Sequence, residues 1–484
     1  MIRDAAYAGT TKKLRAELHE RLADRLADAT EARAGEFEEI LGHHLEQAYR
    51  YREELGPLDE HAWELGARAA ARLASAGRRA YGRGDMPAAV NLLGRAAALF
   101  AADDPRRLEI LPDLGVALMR GVDFAQAEAV LSEACEGARA VDDPLLYARA
   151  LVDLTLVRLQ LETERASEDE IVRVTALTIP VFEAASEHSS LAKAWKLLAQ
   201  RDLHLLLRYG AALERLERAH EHATLAGDSG EQAEIRFWMA FSIAFGPTPA
   251  EEGIARLDEL FAQATGPYEQ AHRLAFLASL NALRGRFDGA RSQGAEAAQI
   301  YRDLGLRLLV AGMANNWGPI ELRAGDPVAA ERTLREGYDG LEQMGEKGYL
   351  SSVAGHLARA LYEQGRDDEA ARYATICCDT SAPDDLMSQI AWRSVRAKLL
   401  ARRGEHEEAE ILARDAVRLA EATDAIETHA DTLFDLAEVL ELAGRPDAAV
   451  LSANEALRLY EQKGVVPSIR RVRSFLASNA AARS

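Results

Sequence analysis

Cysteine, lysine and long apolar runs are scarce in this chain, and each scarcity removes a class of protein. Three cysteines, Cys135, Cys377 and Cys378, among 484 residues cannot form a disulfide framework, so a reducing cytoplasm is the expected compartment. Only 7 of the 58 basic residues are lysine, and 78 acidic residues leave a formal net charge of -20. That balance excludes a broad nucleic-acid footprint, which needs clustered cations to displace counterions from phosphate. No stretch of 18 apolar residues offers a membrane span, and the N-terminus becomes charged too early for a signal peptide. None of the lysines follows a glycine, so a P-loop is absent, and no predicted strand leads into a Gly-rich turn as a dinucleotide fold requires. Hydrophobic residues still make up 48%, enough for a folded interior, and the length suits several domains or one repeat array.

A repeat is present. Glycine followed by a polar residue, with alanine four positions later, occurs at Gly84-Asp85-Ala89, Gly285-Arg286-Ala290 and Gly325-Asp326-Ala330. It recurs at Gly365-Arg366-Ala370, Gly404-Glu405-Ala409 and Gly444-Arg445-Ala449, and Asp123 to Ala127 is a copy with Val122 in the glycine slot. The period is near 40. Twelve residues before each alanine stands a small residue: Gly77, Gly115, Ala278, Gly318, Ala358, Ala397 and Ala437. Seven residues after it stands another: Ala96, Ala134, Ala297, Gly337, Cys377, Ala416 and Ala456. Apolar residues at helical spacing surround them, as in Leu433, Leu436 and Leu440. Each unit therefore reads as helix, Gly turn, helix, with small side chains where the two helices approach. The spacing predicts an all-α, right-handed α-solenoid of about ten such units over residues 61–464. The middle units are degraded, and Glu162 to Glu170 reads as a polar loop.

The pattern resembles the tetratricopeptide repeat, and its longer-period relatives in bacterial signalling proteins most of all. The resemblance implies a non-catalytic scaffold for protein or peptide partners. Residues 1–60 hold the phrases IRDAAYAGTTKKLRAELHERLADRL and ILGHHLEQAYRYREELGPLDE. These resemble the segment joining an ATPase module to its repeats in bacterial signal-transduction ATPases and multidomain adenylate cyclases, which implies a catalytic module upstream of Met1. Residues 465–484 carry Arg470, Arg471, Arg473 and Arg483 without an acid and read as a basic capping helix and tail.

Sites of chemistry are not evident. His43-His44 and His220 with His222 have spacings that place neither pair on one helical face, so no metal site is expected. Cys377 occupies the recurring small position and reads as a structural thiol. No cofactor is implied. The two-carboxylate clamp of peptide-binding family members is missing, because its lysine and asparagine slots hold other residues. Three successive first helices instead supply Asn315, Asn316, His356, Arg359, Tyr362 and Lys398, a candidate partner-binding groove in which Arg359 and Lys398 would meet an anionic segment. The function read from the sequence is a regulatory, non-enzymatic region of a cyclase or ATPase signalling protein. A free-standing adaptor is the alternative, and a helical enzyme a distant third.

Overall fold

The structure, a computed structural model, describes residues 10–29, 34–83, 85–102, 104–121, 123–160, 167–262, 264 and 266–481. Gly84, Val122, Arg483 and residues 161–166 of the expected polar loop lie outside the described residues. Among those described, every regular element is a helix. In chain order these are α1 (Lys12–Ala29), α2 (Ala34–Glu53), α3 (Glu60–Gly82), α4 (Met86–Ala97), α5 (Pro105–Arg120), α6 (Phe124–Ala140), α7 (Pro144–Gln160) and α8 (Glu168–Ala185). There follow α9 (His188–His204), α10 (Tyr209–Leu225), α11 (Ser229–Phe245), α12 (Ala250–Leu260), α13 (Pro267–Leu283), α14 (Phe287–Asp303), α15 (Arg307–Gly312) and α16 (Ala314–Ala324). The last are α17 (Pro327–Met344), α18 (Gly348–Glu363), α19 (Asp367–Thr380), α20 (Leu386–Arg402), α21 (His406–Glu421), α22 (Ile426–Leu442), α23 (Pro446–Lys463) and α24 (Val466–Ala481). From α3 to α23 they fall into ten two-helix units, an α-solenoid, with α15 and α16 together forming one first helix.

The expected turn chemistry is present. Gly285, Gly325, Gly365, Gly404 and Gly444 have φ of 74°, 80°, 75°, 83° and 69°, the left-handed region that a Cβ would penalise. The recurring alanines 290, 330, 370, 409 and 449 are fully buried. In three units the small residue of the first helix, Gly77, Gly115 or Gly318, meets a leucine four residues beyond the alanine of the second. A Cβ on Gly115 would lie 2.4 Å from Leu131, and one on Gly318 would lie 2.5 Å from Leu334. Contact of this closeness is what fixes the register of the two helices.

Two compact units divide the chain, Met1–Leu197 and Leu198–Ser484. Within the second, segments far apart in sequence meet. Asp424 accepts hydrogen bonds from the backbone N–H groups of Tyr209 (2.7 Å) and Gly210 (2.8 Å), the first residues of α10. Lys463, fully buried, donates to the carbonyls of Gly246 (2.6 Å) and Thr248 (2.7 Å) after α11. Arg284 donates to the carbonyl of Gly464. The last helices thus close onto the first ones of the same unit.

Candidate functional site

In the second unit the first helices α18, α20 and α22, with α24, carry one connected ion network, and α16 adds a separate pair with α22. Arg359 on α18 donates to Asp435 on α22 at 2.6 Å and to Glu363 at 3.2 Å. Lys398 on α20, only 1% exposed, reaches Glu438 at 2.6 Å and Asp435 at 3.2 Å. Arg471 on α24 pairs with Glu438 at 2.7 Å, and Arg323 on α16 pairs with Glu427 at 2.6 Å. Tyr362 lies beneath two cations of α20: Lys398 Nζ is 4.6 Å from the ring centre and Arg402 Cζ 3.5 Å.

Burial penalises every charge here, so each survives only through its partners. Burial alone would raise the Glu438 carboxyl, yet Lys398, Arg471 and Arg359 hold it well below the usual carboxylate range. Burial and Arg359 would lower the Lys398 amine, but Asp435, Glu438 and Glu363 outweigh them and raise it. His356 has no such carboxylate. Burial, then Arg323 and Arg359, pull its imidazole down to about 4, so it is neutral at pH 7.

Of the six residues singled out in the sequence, His356, Arg359, Tyr362 and Lys398 sit in or beside this network. Asn315 and Asn316 begin α16. Asn316 is buried with its amide directed at Met313 Sδ, and the side-chain oxygen of Asn315 is buried with no hydrogen-bond donor. Sequence reasoning missed the counter-ions Asp435, Glu438 and Glu363, and it did not link Arg471 of the basic tail to Glu438. The signal for two of them was an i, i+3 pair of acids, Asp435 and Glu438, on a first helix that carries no lysine or arginine. The basic C-terminal helix is itself paired within the chain, Arg471 with Glu438 and Arg473 with Glu461 at 2.7 Å.

The first unit has a smaller polar cleft of about 220 Å³ between α3, α5, α7 and the start of α9. Its walls carry the pairs Arg78–Asp113 (2.6 Å), Arg149–Glu187 (2.5 Å) and Lys193–Asp153 (3.0 Å). Burial raises the Asp153 carboxyl despite Lys193. Among the described residues no group of three histidine, cysteine or acidic side chains is placed to hold a metal ion, and no helix is long and apolar enough to cross a membrane.

No curated protein matches this sequence. Among solved structures, the chain is similar to a Rap protein complexed with Competence and Sporulation Factor: TM-score 0.55, 14% identity, covering 77% of this chain and 99% of that one. Yeast Tom70 aligns with TM-score 0.37 at 14% identity, covering 95% and 96%. Human IFIT1 with m7Gppp-AAAA aligns with TM-score 0.44 at 16% identity, covering 86% and 94%. The Rap likeness concerns the fold. The family model of the tetratricopeptide repeat matches residues 388–462, most of α20 through α23, where the sequence period is most regular. The chain therefore contains a tetratricopeptide repeat region, an architecture that suggests a protein-interaction scaffold.

Proposed function

We propose that this chain is a non-catalytic, cytoplasmic scaffold that binds a protein or peptide partner along its first helices and regulates a bacterial signalling ATPase or cyclase. The observation that supports this reading is the shared ion network of α18, α20, α22 and α24. An acidic partner segment reaches Arg359 and Lys398 by exchanging with Asp435 and Glu438. Exchange keeps each cation paired, while the displaced Asp435 and Glu438 must reach solvent or other cations as α22 moves away. It also frees α22 and α24 from α18 and α20, which ties binding to the arrangement of the repeats. Asn315, Asn316, His356 and Tyr362 flank that route. The Rap structure, which holds its factor on a related fold, is consistent with this use of the architecture.

The test uses the purified full chain and the nucleotide-turnover module encoded beside it. Binding by calorimetry and a change in turnover are expected for the wild type. Arg471→Glu, at a half-exposed edge of the network, should weaken binding about tenfold, the equivalent of one lost charged contact. Arg418→Met, on the outer face of α21, should leave it unchanged. Equal binding by both variants, or no effect of the chain on turnover, refutes the proposal.

A further inference from the structure

A cleft of about 480 Å³ in the second unit lies away from the ion network, among α14, α15, α16 and α17. Its origin is local. The first helix of this unit is interrupted at Met313, between α15 and α16. Four residues beyond the recurring alanine, where three units place Leu93, Leu131 or Leu334 and three place Ala374, Ala413 or Ala453, α14 has Gly294. The missing side chain leaves volume that Trp317 only partly covers, its Nε1 standing 3.2 Å from where a Cβ of Gly294 would be. The floor is apolar and small: Ala298, Ala311, Ala314 and Gly337, with Val310 beside them.

The polar groups are unevenly committed. Trp317 Nε1 is buried and has no acceptor. Arg291 is taken by Glu321 at 2.7 Å. Arg302 bonds only the neutral amide oxygen of Gln299, and Arg307 has no partner among the described residues. Both arginines are exposed at the cleft, next to the Gly305 turn that joins α14 to α15. Glu336, on α17, is the remaining acid of the lining. Two uncommitted guanidinium groups beside an apolar floor, in a chain of net charge -20, favour an anion with an apolar body. The volume falls within the range of about 300–1,000 Å³ typical of small-molecule pockets, and the apolar surface stops at a charged rim. That favours a ligand that enters whole over a flat protein face, which would need apolar surface beyond the mouth.

We propose that this cleft binds a small amphipathic carboxylate, its apolar body against Ala298, Ala311 and Ala314 and its carboxylate at Arg302 and Arg307.

Decanoate serves as the probe and 1-decanol as its neutral counterpart, titrated into the full chain by calorimetry with tryptophan fluorescence in parallel. Decanoate should bind saturably with one-to-one stoichiometry, and decanol about tenfold more weakly, the loss expected for a charge-assisted contact. Arg307→Glu should weaken decanoate by a similar factor and leave decanol unchanged. Ala295→Trp fills the mouth from an exposed position and should abolish binding of both while thermal unfolding stays at the wild-type temperature. Absence of saturable binding, equal affinity for decanol, or full binding by the Ala295→Trp chain overturns the proposal. So does tighter binding of the capped peptide acetyl-Asp-Leu-amide than of decanoate, which would assign the cleft to a partner's chain.

Discussion

Replacing Asp424 with alanine removes a helix cap supplied from more than 200 residues away. The residue before α10, Arg208, makes no side-chain cap bond, so the first amides of that helix depend on the Asp424 carboxylate. An ordinary N-cap contributes about 1 kcal/mol. Here the acceptor is ionised and takes two N–H groups, and it lies at the positive end of the helix dipole, worth a further 0.3–1 kcal/mol or so. The expected cost of Asp424→Ala is therefore about 2 kcal/mol. Asp424→Asn keeps one acceptor oxygen and should lose about half of that. The backbone bond from the Asp424 N–H to the Leu207 carbonyl survives both changes, so the two segments remain in place and the difference reports the carboxylate. Urea unfolding followed by circular dichroism gives the stability change, and hydrogen exchange at Tyr209 and Gly210 locates it. Gly210→Ala probes the same contact from the other side, because its Cβ would stand 3.2 Å from Asp424 Oδ2. A loss below about 0.5 kcal/mol for Asp424→Ala, or unchanged exchange at the start of α10, would show that the cap carries no stability and that the reasoning is wrong.

Burial lowers His272 to about 3, so the folded chain keeps it neutral while the unfolded chain takes up a proton near pH 6.5. Stability from this group is complete above pH 6.5 and declines as pH falls toward 3, by roughly 2 kcal/mol at pH 5. His272→Phe, which also removes two buried ring nitrogens without partners, should flatten the acid limb of a stability–pH curve; an unchanged limb rejects the assignment. Lys398→Met strips Asp435 and Glu438 of a shared cation and should cost about 3–5 kcal/mol in urea unfolding, and a cost under 1 kcal/mol would mean the network is not coupled. Burial pushes the Cys377 thiol up to about 12 and the Cys135 thiol up to about 11, so Ellman's reagent at pH 8 should modify no more than one thiol, Cys378, before denaturation. Rapid reaction of two thiols in the native chain would contradict that burial.

How much was legible depended on range. The Gly turns, the small positions and the first-to-second helix contacts involve residues within about one period of each other, so spacing alone places them, as Gly115 against Leu131 and Gly318 against Leu334 show. The interruption of the first helix at Met313 was not legible, since Leu308 through Ala314 is apolar and contains no proline. The cleft beside Gly294 followed from that break and from a glycine where three other units have leucine. Arg359 and Lys398 were recognised as cations on first helices, but nothing local marks Asp435, 76 residues from Arg359, as their acceptor.

Periodicity by itself determined the helical class, the two-helix unit and the near-40 spacing, because a helix pair is stabilised by contacts that recur at fixed short separations. Tertiary structure alone decided which charges neutralise one another, where Asp424 and Lys463 tie the second unit together, and which cavity is left open. Those outcomes depend on small rotations accumulated over several units, and no single repeat encodes that sum.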